Sequence, residues 1–357
     1  MRAERLILHI GHGKTGSTSI QRALRASGPL LEAHNILFPD PGRHDNHQLM
    51  FPYLTGSLPD DPVQMASLAP TEKMARDQAA RLWEDLRRRI EKEHPQTVVL
   101  SCENQFRPFS AEAMARLRES CTRIAKRTEV IAYLRSPAPF FLSNVQQDVK
   151  KRPDFRTISA SRVRDTLEPF VKEGPGPVSA RLFSREALLK GDVVADFMAL
   201  ALPEIAPGAL TRGTAEENTS VSAEAMALLQ QVFRGNRPLP ARFRNRAKAF
   251  RKIVVATDAQ IPGARRPQLF DHVRAATEAR VTDLDWTSDA LGVRFPDLAP
   301  PKMRREEAEE AFQGLQAVAD ICTVDTARLE TLWHASQANA HSTGGWLKRL
   351  FERHRQR

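Results

Sequence analysis

Residues 5–27 read RLILHIGHGKTGSTSIQRALRAS, and the order of signals in this stretch decides the fold. Residues 5–10 are a short apolar run suited to a buried strand. Gly11, Gly13 and Gly16 then punctuate a loop. From about Gly16 the spacing turns helical, with Ile20 and Leu24 four apart on one face. A strand, a glycine-rich loop and a helix in that order suit an anion. The N–H groups that open a helix lack partners and carry the positive end of its dipole. Glycines let the backbone come close, and hydroxyls and a lysine add donors. Gly13, Lys14, Thr15, Gly16, Ser17 and Thr18 supply all of these. A full Walker pattern needs glycine five residues before Gly13, where Leu8 stands. The loop is therefore expected to be P-loop-like without being a Walker A motif.

Outward from this stretch, strand and helix signals keep alternating. Residues 71–93 read as a helix through Leu82, Leu86 and Ile90, ended by His94-Pro95. The run TVVLS at 97–101 reads as a strand, followed by the polar turn Cys102-Glu103-Asn104. Ser110 is a candidate N-cap for a helix to about residue 127. The run EVIAYL at 129–134 is a third strand, leading into Arg135-Ser136-Pro137 and a helix to about residue 151. A fourth strand is expected at 178–183. Alternation without hairpin signals implies a parallel sheet covered on both faces. Past about residue 185 the pattern is mostly helical, over 188–201, 222–234, 241–255 and 268–280. Pro300-Pro301 marks a boundary, with two polar helices beyond it at about 303–320 and 325–340. The expected class is α/β: a P-loop-like three-layer fold, its central parallel sheet flanked by helices, plus a helical C-terminal region. The expected division is an α/β domain over 1–300 and a helical extension with a basic tail over 301–357.

The chain has 357 residues, 41% hydrophobic and 27% charged, the balance of a soluble protein with a sizeable core. No apolar run approaches the roughly 20 residues that span a bilayer, and the first run is too short for a signal-peptide core. Cys102, Cys121 and Cys322 make neither a disulfide framework nor a zinc cluster, which fits a reducing compartment. The net charge of +10 resides in two segments. Residues 241–252, ARFRNRAKAFRK, carry +6, and residues 346–357, WLKRLFERHRQR, carry +4. The body of the chain is formally neutral, which excludes an all-over basic nucleic-acid coat. In the first segment Phe243, Ala247, Phe250 and Val254 fall at helical spacing. That gives a basic amphipathic helix, either meeting an anionic ligand or packing its phenylalanines on the core. The tail follows Gly344-Gly345 and sets Trp346, Leu347, Leu350 and Phe351 among cations, suited to an anionic membrane surface, a partner helix or disorder.

Lys14-Thr15-Gly16-Ser17-Thr18 resembles the 5′-phosphosulfate loop of the sulfotransferase family, whose pattern is Lys-x-Gly-(Ser/Thr)-(Ser/Thr) after the first strand. Arg135, Pro137 and Ser143 in YLRSPAPFFLSNVQQ resemble that family's second signature, a strand-end arginine with a serine eight residues on. Residues 179–197 and 217–229 also resemble bacterial, carbohydrate-type members, so the likeness spans about residues 5–295. The chain departs from the cytosolic small-molecule branch, lacking its late Arg-Lys-Gly run and carrying Ser19 where a tryptophan usually stands. The resemblance implies 3′-phosphoadenosine 5′-phosphosulfate as donor, no metal, and a 3′-phosphate held by Arg135 and Ser143. Arg135 also reads this way on its own: at a strand's carboxyl end its guanidinium forks into the crevice where open α/β sheets bind ligands.

Sulfuryl transfer, like phosphoryl transfer, is mostly alignment and stabilisation of oxygen charge. Lys14 is the expected cation for the leaving bridge oxygen, with the backbone at 15–18 and the hydroxyls of Ser17 and Thr18 around the transferred group. The base is expected to be Glu103, directly after TVVLS at the same sheet edge, with His44 and His47 in RHDNHQ as rivals. His44, Asp45 and His47 lack a further partner at metal-ligand spacing. The implied acceptor is a carbohydrate or glycolipid hydroxyl. The expected location is cytoplasmic, with peripheral contact at the inner membrane through the tail and no nucleic-acid partner. A kinase or NTPase shares such a loop but needs a magnesium-binding Asp at a strand end, where this chain has Glu103 and Arg135. A non-catalytic nucleotide-binding or membrane-adaptor protein is the other alternative.

Overall fold

The computed structural model describes residues 1–54, 68–156, 158–211, 220–244, 246–298 and 303–342. In chain order the first elements are β1 (Ala3–His9), α1 (Ser17–Ala26), α2 (Gly28–Ala33) and β2 (Ile36–Leu37). Then come α3 (Glu72–Glu93), β3 (Thr97–Ser101), α4 (Ala111–Ile124), β4 (Ala125–Leu134), α5 (Pro137–Val149), α6 (Arg162–Glu173), β5 (Val178–Leu182) and α7 (Val193–Ala201). The remainder is helical: α8 (Ala223–Arg234), α9 (Ala247–Asp258), α10 (Asp271–Ala279), α11 (Leu284–Leu291), α12 (Arg305–Gln313), α13 (Val318–Ile321) and α14 (Thr326–Ser342).

The fold is α/β, and the chain divides into two compact units. The first comprises the described residues of Met1–Ser136, Ser159–Ala215 and Thr282–Leu298. It contains an all-parallel five-stranded sheet in the order β2-β3-β1-β4-β5. β1 is central, with Ile7 paired to Val99 on one side and Glu129 on the other. Strand side chains alternate between faces, and the two faces enter different cores. Leu6, Leu8, Val98, Leu100, Val130 and Ala132 meet α3, α4 and α6. Ile7, Val99, Ile131 and Tyr133 meet α1, α2 and α7 on the other face. Burial on both faces is why these strands read as continuous apolar runs rather than alternating ones. Truncating one such side chain, as in Leu8→Ala, belongs to the class that costs about 2–5 kcal/mol.

The topology places a switch point between β1 and β4. The helix after β1 lies on one face, whereas α6, the last helix before β5, lies on the other. β1 and β4 are neighbours whose connections diverge, so the space outside their carboxyl ends is where such sheets bind ligands.

The second unit comprises the described residues of Pro137–Ile158, Glu216–Val281 and Ala299–Arg357. Its core joins Phe141 and Val145 of α5 to Leu228, Phe250, Ile253, Val273, Phe312 and Leu332. Arg328 is buried at its centre, donating to Glu224 at 3.0 Å, Asp258 at 2.8 Å and the Ser222 hydroxyl at 2.8 Å.

Several element expectations change. The structure adds α2, α6, α11 and the two-residue β2 to the sequence reading. The helix expected to run to residue 127 stops at Ile124, and β4 starts directly at Ala125. The expected helix at 241–255 is a short 3₁₀ turn, Ala241–Phe243, followed by α9. Phe243, Phe250 and Val254 are buried, so this segment's apolar face packs in the core and its cations face outward. The expected helix at 303–320 is α12 and α13, separated after Gln313. Pro300-Pro301, Gly344-Gly345 and the tail at 346–357 lie outside the described residues. Among the described residues no helix is long and apolar enough to cross a membrane.

Candidate functional site

The loop after β1 is held by the neighbouring strand. The Ile10 N–H donates to the Ile131 carbonyl at 3.1 Å and the His12 N–H to that of Tyr133 at 3.2 Å, while the Tyr133 N–H returns to Gly11 at 2.8 Å. The loop's three glycines have different reasons to be glycine. Gly11 has φ +102°, and a Cβ there would stand 2.8 Å from the Glu103 Cα. Gly16 has φ +76°, and its Cβ would meet Val193 at 2.6 Å. At Gly13 a Cβ would meet nothing within 4 Å, so packing of the protein does not demand glycine there. Lys14 itself takes a left-handed φ of 70°.

Hydroxyls of the loop turn partly inward. Thr15 is buried and donates to the His12 carbonyl at 2.5 Å, and Ser17 reaches the same oxygen at 3.5 Å. Thr18 is half-buried. The N-cap of α1 is Gly16, which brings no side chain to its first-turn N–H groups. Side chains of Thr71, Ser110, Asp192 and Ser222 cap α3, α4, α7 and α8, whereas α1 shares the lack of a side-chain cap with α2, α6, α9, α10 and α11. The Ser19 and Ile20 N–H groups donate to the Gly16 carbonyl at 2.9 and 3.2 Å, so it is those of Ser17 and Thr18 that an acceptor from outside the helix could meet.

Arg135 stands one residue past β4 and donates from one guanidinium nitrogen to the Lys14 carbonyl at 3.3 Å. Its Cζ lies 5.9 Å from the centre of the Phe183 ring. The side chain is half-buried, and burial lowers its pKa. Among the described residues no carboxylate pairs with it. The loop is further charged by Arg162, which donates to the Phe106 carbonyl at 3.2 Å and sits 5.7 Å over that ring. His12 packs edge-on against the same ring at 4.6 Å. Burial holds His12 well below its ordinary pKa, and the cations Arg162 and Arg135 push the same way.

Glu103 opens the 3₁₀ turn after β3, backed by Gly11. Its Oε2 accepts from the Gln21 side-chain amide at 2.6 Å and from that of Asn46 at 3.1 Å. The same Gln21 nitrogen donates to the Ser101 hydroxyl at 3.0 Å, and that hydroxyl lies 2.8 Å from His9 Nδ1. His9 is wholly buried, and burial pushes its pKa down to about 4. Gln21, Asn46, Ser101, His9 and Arg162 had no place in the sequence reading. Only Gln21 leaves a sequence signal, a polar side chain on the inner face of α1 beside Ile20 and Leu24.

His47 is a brace. Its Nδ1 accepts from the Ser101 N–H at 3.0 Å, which fixes the tautomer, and Nε2–H donates to the Pro39 carbonyl at 2.9 Å. Both ring nitrogens are thus engaged by backbone, and burial lowers the pKa. His44 is half-buried and takes a 3.3 Å contact from Arg43, while Asp45 pairs with Arg22. Among the described residues no group of three or more His, Cys, Asp or Glu gathers as metal ligands would.

The loop, Arg135 and Glu103 therefore come together in the sheet unit. Ser143 lies half-buried on α5, which belongs to the helical unit. Chemically, the sheet unit offers helix N–H groups without a side-chain cap, a lysine, an arginine with no carboxylate partner among the described residues, and one carboxylate held by two amides. Comparison with known protein families, with curated proteins and with solved structures finds no match to this chain.

Proposed function

We propose that this chain is a sulfotransferase, moving a sulfuryl group from 3′-phosphoadenosine 5′-phosphosulfate to a hydroxyl of a carbohydrate or glycolipid. The observation that carries the reading is Arg135, half-buried against the Lys14 carbonyl with no carboxylate partner among the described residues. A cation taken partly out of water without a counter-ion costs free energy, and an anionic ligand would offset it. The uncapped start of α1 and the open space at Gly13 support an anion close to the backbone. On this reading the loop is P-loop-like.

The roles follow from the chemistry. Backbone N–H groups at 15–18, with the Ser17 and Thr18 hydroxyls, surround the sulfuryl group. Arg135 holds the 3′-phosphate. Glu103 takes the acceptor's proton as the acceptor oxygen bonds to sulfur. The bond from sulfur to the bridging oxygen breaks, its electron pair stays on that oxygen, and Lys14 neutralises the charge. His47, with both ring nitrogens committed, supports the strand end that carries Glu103. The basic tail at 346–357 is proposed to hold the protein at an anionic membrane surface on the cytoplasmic side.

A kinase or NTPase is disfavoured by Cys102-Glu103 and Arg135 following the strands where a magnesium-binding Asp would stand. Calorimetric titration separates the two. Adenosine 3′,5′-bisphosphate should bind more tightly than ATP, and magnesium should not reverse the order. ATP binding equal or tighter would sink the assignment. Lys14→Ala should abolish sulfuryl transfer, and wild-type rates in that variant would remove Lys14 from the mechanism.

A further inference from the structure

The donors around Glu103 form a directed chain. Gln21 is only 1% exposed, and its single amide nitrogen serves two acceptors, Glu103 Oε2 at 2.6 Å and Ser101 Oγ at 3.0 Å. That choice fixes which way the amide faces, because a flipped amide would point oxygen at carboxylate. Ser101 Oγ accepts from Gln21, so its own hydrogen turns to His9 Nδ1 at 2.8 Å. Asn46 adds a second donor to the same Glu103 oxygen at 3.1 Å, and its own Oδ1 is held by the Gln48 N–H at 3.1 Å. The other carboxylate oxygen, Oε1, takes no hydrogen bond among the described residues.

Gln21 also sits one helical turn below Ser17, on the helix whose opening residues form the loop. Gly11, at the other end of the loop, lies so close to the Glu103 backbone that a Cβ would collide with it. Glu103 is thus met twice, at its backbone by the loop through Gly11 and at its carboxylate by α1 through Gln21.

We propose that Gln21 is a positioning residue for the reaction: with Asn46 it anchors Glu103 Oε2, leaves Oε1 as the atom that receives the acceptor's proton, and ties that atom's place to the donor-binding helix. This inference rests on the sulfotransferase reading. In it the proton moves from the acceptor hydroxyl to Oε1, and Gln21 gains or loses none.

The test is a double-mutant cycle on the full chain, reading sulfate release from 3′-phosphoadenosine 5′-phosphosulfate with water as acceptor. Gln21→Met keeps the shape and removes the donor. It should slow release roughly 30- to 100-fold, as a misplaced reacting group does. In a Glu103→Gln background the same change should cost less than about twofold, because Gln21 acts only through that carboxylate. The dissociation constant for adenosine 3′,5′-bisphosphate should stay within about twofold throughout, which separates positioning from collapse of the loop. Asn46→Ala should show the same pattern and carries the test if Gln21→Met fails to fold. Equal losses in both backgrounds, or no loss in either, would overturn the inference. A wild-type protein that binds no adenosine 3′,5′-bisphosphate and releases no sulfate would instead overturn the functional reading itself.

Discussion

Arg328 in the helical unit and Arg135 in the sheet unit are both withdrawn from solvent, and their surroundings differ completely. Arg328 meets two carboxylates, a hydroxyl and the carbonyls of Asp258, Ile261 and Pro262. Those carboxylates have further duties, since Asp258 also accepts from the Ser222 N–H and hydroxyl and Glu224 from the Asp325 N–H. Nothing at that cluster is left for a ligand. Arg135 has one carbonyl at 3.3 Å and a ring face, beside a helix start with no side-chain cap. Residue type and burial alone would rank Arg328 as the more notable cation. The completeness of its partners fits a structural role, and the fewer partners of Arg135 among the described residues are what the proposed anion site rests on.

The largest effect should come from the saturated cluster. Arg328→Met leaves Glu224 and Asp258 without their cation, a class of change that costs about 3–5 kcal/mol. Urea unfolding should show that loss, and a loss under about 1 kcal/mol would mean that the cluster is not the anchor it resembles.

Acid should act on the sheet unit, where His9, His12 and His47 are all held below their ordinary pKa chiefly by burial. A folded pKa below the unfolded one means that the unfolded chain binds more protons between the two values. Stability is therefore complete above about 6.5 and falls as pH drops toward 4, by about 3 kcal/mol from His9 alone. Unfolding free energies measured across pH 7.5 to 4.5 test this, and a flat profile would show that these rings take up protons without cost.

The smallest effects sharpen the comparison within the loop. Gly11→Ala meets both the left-handed backbone and Glu103, so a loss above about 1 kcal/mol is expected. Gly13→Ala should leave stability within about 0.5 kcal/mol yet weaken adenosine 3′,5′-bisphosphate binding about tenfold, as the new methyl occupies the space proposed for the ligand. Equal destabilisation by both would erase the distinction between the two glycines.

What the sequence made legible follows the range of the interactions. β1, β3, β4 and β5 were readable because each is a local apolar run buried on both faces. β2 has only Ile36 and Leu37, too few for any period to register. α6 carries Pro169 and is followed by Gly174-Pro175-Gly176, so its punctuation masks the helical spacing of Thr166, Leu167 and Phe170. The positions of the loop between β1 and α1 and of Arg135 just past β4 were readable because each lies in one short stretch of sequence. The Glu103 clamp was not, since Gln21, Asn46 and Ser101 come from α1, a loop and β3 and meet only in the fold. His47 shows the converse: its residue type suggests a base, and two backbone partners that no spacing reveals make it a brace.

Arg135→Met tests the central claim most directly, measured twice on the same preparation. Removing a half-buried cation with no carboxylate partner among the described residues should leave unfolding free energy unchanged within about 0.5 kcal/mol, or raise it. The same substitution should weaken calorimetric binding of adenosine 3′,5′-bisphosphate by about 30-fold or more, the scale of a lost charge-assisted phosphate contact. Bisphosphate affinity that survives the change, or a stability loss like that expected for Arg328→Met, would show that Arg135 serves the fold and not a ligand.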